Sequence, residues 1–166
     1  MLTMEANKYL VQAIIVSRLD YCNAILYDLP ATVIDELQSV QNAAAILIVR
    51  CPRDSRIIPI LKQLHWLPIS YRIKYKVLCL TYKGQHGLAP EYIKYMLCSY
   101  APSRRLRSSN QNLLNVPSTN LGYGKRAFSV AAPRLWNSLP LELRTCDTYN
   151  IFRRKLKTYL FQCAYV

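Results

Sequence analysis

Apolar side chains return at three- and four-residue intervals along most of this chain, and strict alternation is scarce, so the elements it predicts are helices. Leu10, Ala13, Ile14, Ser17, Tyr21 and Ala24 share one predicted helical face, which Asp28-Leu-Pro30 then breaks. A second helix starts after Pro30 and carries Ile34, Leu37, Gln41, Ala44 and Ile48 on one face, with small Ala43, Ala44 and Ala45 allowing another backbone to come close. Two apolar stripes joined by a short Pro-containing loop make a helical hairpin. Gln41 stands inside its stripe, and a buried amide there requires a hydrogen-bond partner.

Residues 51–55 form a connector, and Ser55 is placed to cap a short helix through Leu64, with Pro59 in its first turn or else the helix starting later. Trp66-Leu-Pro68 ends that element, with His65-Trp66 a packed turn. Ile69 to Lys83 is the best amphipathic helix of the chain, stopped by Gly84 and Gly87. The N-terminal hairpin is expected to pack on it. Pro90 opens another short helix, Glu91 to Tyr100. From Ala101 to Asn120 the period lapses into Ser, Asn, Arg and Pro, with a brief strand at 113–116 pairing with 123–128. Phe128 to Leu139 contains a helix with Pro133 near its start. Thr148 caps the last helix, whose stripe is Phe152, Leu156, Tyr159 and Leu160. Trp136, between two leucines, is expected to be buried against Phe152 or Leu156. The fold class is therefore mainly α: a helical hairpin plus amphipathic helices, with a small β-hairpin near 113–128. Three regions follow: 1–100, 101–122 as a basic loop or arm, and 123–166 as a C-terminal helical extension.

At 166 residues, 52% hydrophobic and 19% charged, the chain can bury a real core and is not disordered by composition. Charge changes the picture more. The net charge is +13, and it is uneven: residues 1–100 carry eleven basic and seven acidic side chains, residues 101–166 eleven and two. Such an excess attracts polyanions, nucleic acid above all. The six cysteines show no Cys-x-x-Cys pair and no histidine at ligand spacing, so neither zinc nor a disulfide scaffold is indicated, and buried, reduced thiols are expected. No secretory signal and no run of about 20 apolar residues is present, so an intracellular protein of nucleus or cytoplasm is expected, not secreted and without a membrane partner.

Within helix 69–83, Ile69, Ile73, Val77 and Leu80 point to the core. Arg72, Lys76 and Lys83 form a second row, and Tyr71, Tyr75 and Tyr82 a third on the next sector. A basic row beside an aromatic row suits a polynucleotide, since cations meet phosphates while rings stack on bases. The same residues are equally read as basic stems lying along the core edge and tyrosines that pack. Arg104, Arg105 and Arg107 form a loop cluster suited to phosphate, a solvated loop or an import signal. Arg153, Arg154 and Lys157 spread positive charge round the last helix, which either follows a phosphate backbone or is simply solvated. Catalytic patterns are missing. Gly122-Tyr-Gly124 is no phosphate loop, no Gly-x-Ser-x-Gly accompanies the two histidines, and Asp20 has no second aspartate beside it for a metal pair. Asp20 reads as a helix-surface or salt-bridged residue. No cofactor, metal or small-molecule substrate is expected, and the oligomeric state is left open.

Three blocks carry a resemblance: Ser17-Arg-Leu-Asp-Tyr-Cys-Asn-Ala-Ile-Leu-Tyr27 with Leu37 to Ala45; Leu64-His-Trp-Leu-Pro-Ile69 leading to Gly87-Leu-Ala-Pro-Glu-Tyr92; and Tyr123 to Arg144. In this order they resemble the polyprotein of LINE-type (non-LTR) retrotransposons downstream of its polymerising domain, over about Leu10 to Phe161. The resemblance implies the thumb and C-terminal extension of a reverse transcriptase, with Gln41 matching a recurrent glutamine of the thumb. The family supplies its catalytic carboxylates from a separate palm, typically at a Tyr-x-Asp-Asp turn that this chain lacks. The implied function is a non-catalytic grip on RNA or an RNA–DNA duplex. The alternative is a translated remnant of a decayed element with no biochemical activity.

Overall fold

The computed structural model describes residues 3–101 and 111–165, and they are mainly helical. In chain order the helices are α1 (Met4–Val11), a π-turn (Gln12–Val16), α2 (Ser17–Asp20), a 3-10 turn (Asn23–Leu26), α3 (Ala31–Val49), α4 (Ile57–Gln63), α5 (Ile69–Gln85), α6 (Glu91–Tyr95), α7 (Gly122–Arg126), α8 (Phe128–Asn137), α9 (Leu141–Arg144) and α10 (Tyr149–Tyr165). They gather into two compact units, one of residues 1–73 with 160–166, the other of residues 74–159. The division falls within α5 and α10, not at the 101–122 segment that composition singles out.

In the first unit, Thr3 caps α1 by accepting the Ala6 N–H at 3.2 Å. The helical rod continues to Asp20 through the π-turn, and this changes which side is buried. Val11 and Val16, five residues apart, are each 1% exposed, whereas the expected Leu10, Ile14 and Tyr21 lie in solvent. A π-turn inserts one residue, so the buried positions step by five instead of three or four, and the stripe read from the sequence is off by one sector. In α3 the expected face holds: Gln41, Ala44 and Ile48 are buried. Gln41 donates to the Leu67 carbonyl at 2.9 Å and accepts from Gln38 at 2.9 Å, while Gln38 accepts the Ile69 N–H at 2.9 Å. The two amides therefore tie the first turn of α5 to the hairpin and satisfy one of that helix's orphan N–H groups. Gln41→Leu should cost about 1–3 kcal/mol by stranding Leu67 and Gln38, a loss that urea denaturation will read as a lower midpoint.

Helix α4 has Pro59 in its first turn, where no intrahelical N–H is needed, but Ser55 lies outside it: Arg56 is the N-cap and makes no side-chain cap. His65, at φ +53, is the left-handed residue just after the C-cap Leu64 of α4, with His65 N–H on the Lys62 carbonyl and Trp66 N–H on the Leu61 carbonyl. That is the packed turn expected of His65-Trp66. Near the chain end Tyr165 donates to the Trp66 carbonyl, and burial pushes its phenol up to about 12.

In the second unit Gly87, at φ +68, ends α5 in the same motif, the Leu88 N–H reaching the Lys83 carbonyl at 2.8 Å. Gly84 lies inside α5 rather than stopping it; a Cβ there would sit 2.8 Å from Leu97 Cδ1, so α6 and the residues after it approach that backbone closely. Helix α6 is shorter than expected and ends at Tyr95. Pro133 sits well inside α8 and is itself buried. Thr148 caps α10 as expected, accepting the Ile151 N–H at 3.4 Å. The core gathers Val77, Leu78, Tyr82, Val130, Trp136, Phe152 and Leu156, with Trp136 fully buried and its ring 5.7 Å from Phe152.

The β-hairpin expected between 113–116 and 123–128 does not form. Gly122–Arg126 is helical, and both edges of the other segment are taken. On one edge Tyr100 N–H meets Leu113 at 2.9 Å and Asn115 N–H meets Cys98 at 2.8 Å, a single antiparallel bridge. On the other, the Asn137 amide accepts the Leu114 N–H at 2.9 Å and donates to the Leu114 carbonyl at 2.8 Å. With those groups satisfied, no ladder is left for residues 123–128.

Cysteines also differ from expectation. All six are free thiols, but only Cys79 and Cys146 are buried, while Cys22, Cys98 and Cys163 are exposed.

Candidate nucleic-acid interface

The row Arg72, Lys76, Lys83 does not act as one surface. Arg72 ends in an ion pair: its Nε donates to Asp20 Oδ1 at 2.8 Å and its Nη2 to Asp20 Oδ2. This bidentate pair identifies Asp20 as a salt-bridged residue and takes Arg72 out of the set open to phosphate. Tyr82 is a second correction. It is 1% exposed, donates to the Cys146 carbonyl at 2.8 Å, and is covered by Phe152 at 4.5 Å and His86 at 3.9 Å between ring centres. Both faces of the ring are occupied, so no base can stack on it. From Val77 onward α5 is buried on several sides, and the tyrosine row runs into the core.

The second unit nevertheless brings other candidates together. Lys83 Nζ lies 4.7 Å and the Arg153 guanidinium carbon 5.9 Å from the centre of the Tyr149 ring. Tyr149 and Tyr75, the latter one turn before Cys79 on α5, both lie beside the Cys79 thiol. Lys76, exposed, is close enough to act on the charge of that thiol. Lys76, Lys83 and Arg153 thus lie about buried Cys79 and the half-buried Tyr75 and Tyr149. Lys157, one turn beyond Arg153 on α10, is exposed, as is Arg154 on the adjoining sector. Arg104, Arg105 and Arg107 lie outside the described residues. Tyr149 was not among the sequence candidates, although its position four residues before Arg153 on one helix is a signal for such a pair.

The electrostatics of the cluster do not activate its thiol. Burial pushes Cys79 above its ordinary 9.0, and burial with the neighbouring thiol raises Tyr149 and Tyr75. Cys79 is therefore a neutral thiol near neutrality, the opposite of an activated nucleophile. Groups whose folded pKa is raised contribute fully below their unfolded values and lose that contribution as pH rises through the folded values. Melting temperature should hold steady from about pH 7 to 9 and fall above that, and Cys79→Ala should blunt the first part of the fall; circular-dichroism melts across this range test it.

Three side chains of the 123–144 block hold the backbone that follows the Arg104–Arg107 segment. Trp136 Nε1 donates to Asn112 at 2.7 Å, Asn137 clasps Leu114, and Arg144, itself buried, donates to Gln111 and to Leu139 at 3.1 Å. Within the 123–144 block these three side chains thus serve packing and backbone anchoring. Among the described residues no three His, Cys, Asp or Glu side chains come together to hold a metal ion, and no helix is long and apolar enough to cross a membrane. Comparison of the chain with protein-family models, with curated proteins and with solved structures finds no match.

Proposed function

We propose that this chain is a non-catalytic nucleic-acid-binding fragment that grips RNA or an RNA–DNA duplex, as its resemblance to the thumb and C-terminal extension of a LINE-type reverse transcriptase implies. The supporting observation is the convergence of Lys83 and Arg153 on the Tyr149 ring, with Lys76 beside them and Lys157 next along α10. Four cations on one unit, with no carboxylate interleaved on the α10 sequence from Ile151 to Lys157, form a track for successive phosphates. Half-buried Tyr149 stiffens it, because Lys83 and Arg153 lie over its ring. Recognition is of backbone and shape and tolerates sequence. Such a chain works inside the cell, in the nucleus or cytoplasm, and the cutting and copying chemistry belongs to carboxylates it does not carry.

Filter binding of the purified chain to an RNA hairpin, an RNA–DNA duplex and a B-form duplex, each titrated with salt, tests the reading. Salt-sensitive binding that weakens when Lys76, Lys83, Arg153 and Lys157 become Gln supports it. An absence of binding at low salt, or affinity untouched in that variant, leaves the inert remnant as the better account. The neutralisation of Arg72 and the burial of Tyr82 are the observations that favour that second reading.

A further inference from the structure

Helix α3 carries a second apolar stripe beside the one it buries. The buried stripe packs into the first unit through Gln41, Ala44, Ala45 and Ile48. The second carries Val33, Val40 and Leu47, seven residues apart and 40%, 45% and 56% exposed. Glu36 and Ala43 fall at the intermediate positions, so Val33, Glu36, Val40, Ala43 and Leu47 follow the a and d spacing of a helix-pairing seam. The seam runs about 21 Å along the helix at the standard rise. Beside it Ile15 and Ile46 complete a groove of about 740 Å³, which Arg53 also lines. An exposed apolar stripe of this length, rimmed by polar residues, is the kind of surface that marks a contact with another chain.

We propose that this seam pairs with the same seam of a second copy of the chain, the two α3 helices running antiparallel about a twofold axis at Val40. The charge order along the helix selects this occupant. Asp35 and Glu36 lie in the N-terminal half, and Arg53, just past the C-terminal end, folds back along the groove that Ala43 and Leu47 line. A twofold at Val40 sets residues 33–37 of one copy against residues 43–47 of the other. Glu36 of each copy then meets Arg53 of the second, and Val33 meets Leu47. A parallel pairing would instead set Glu36 against Glu36. Self-complementarity under a twofold is what a closed dimer requires of a single patch. The net charge of +13 opposes the association, so moderate salt strengthens it by screening the mutual repulsion. That dependence has the opposite sign to phosphate binding, and the surface is a different one, so the dimer and the nucleic-acid reading stand or fall separately.

Sedimentation equilibrium of the full chain at two salt concentrations is the test, with reductant present because Cys22, Cys98 and Cys163 are exposed. The expected result is a dimer that tightens with salt. Val40→Lys, at an exposed position, should keep the helical spectrum and raise the dissociation constant by about 100-fold. Glu36→Arg and Arg53→Glu alone should each weaken the dimer by about 10-fold, and the double variant should restore it. A monomeric wild-type chain, or a dimer indifferent to Val40→Lys, overturns the proposal. A double variant no tighter than the singles overturns the antiparallel register.

Discussion

Raising salt fourfold, from about 50 to 200 mM, should weaken binding of this chain to duplex nucleic acid by roughly 100-fold. Each phosphate neutralised by a lysine or arginine releases condensed counterion, and the slope of log affinity against log salt is about −0.9 per contact on a B-form duplex. On the proposed function, Lys76, Lys83, Arg153 and Lys157 would give four such contacts, hence a slope of about −3.5; further basic side chains at the interface would steepen it. Replacing the four by Gln should bring the slope close to zero and lower affinity for all sequences alike, because phosphate contacts carry no base information. Arg72→Gln is the informative control. Its guanidinium is committed to Asp20, so the slope should stay where it is, while stability falls by no more than about 1 kcal/mol for a partly exposed pair. A slope that responded to Arg72 as strongly as to Lys76 would mean that the ion pair opens on binding, and the assignment of the interface to the second unit would be wrong.

The second large effect is on stability. Trp136→Ala should cost about 3–5 kcal/mol, since the indole is fully buried against Tyr82 and Phe152 and its removal leaves a cavity no neighbour can fill. A domain of ordinary stability holds about 5–15 kcal/mol, so this one change brings the core close to unfolding. Trp136→Phe separates the two parts of the effect. It keeps much of the apolar volume but removes the Nε1 donor, leaving the Asn112 carbonyl unpaired at a cost of about 1–3 kcal/mol. Urea titration followed by far-ultraviolet circular dichroism measures both. An alanine variant within about 1 kcal/mol of wild type would contradict the burial of Trp136.

These expectations also locate what was legible in the chain before folding. Helices α3 and α10 could be read directly, because their stripes repeat at the helical period over several turns and a period is a property of neighbouring residues. Gly87, Thr148 and the prolines before α3 and α6 could be read for the same reason: caps and breaks act within one turn. Trp136 was readable as core because so large an apolar ring has few other places to go. Other features have no local cause. The π-turn at Gln12–Val16 moved the buried side of the first helix by one sector, and nothing in Leu10 to Tyr21 announces an extra residue in the turn. On α5 three adjacent sectors carry apolar, basic and aromatic residues, and the period alone does not say how much of the circumference will be covered. Phe152 and Trp136, far along the chain, cover the aromatic sector at Tyr82. Asp20, more than fifty residues before Arg72, removes that arginine from the basic row, and Asn137 fills the strand edge that residues 123–128 would have used. Most of the helices, several of their caps and the excess of positive charge were thus legible in the sequence, because they depend on residues a turn apart. Tertiary structure decided which cations remain open to a phosphate, because that depends on which distant side chain reaches each of them first.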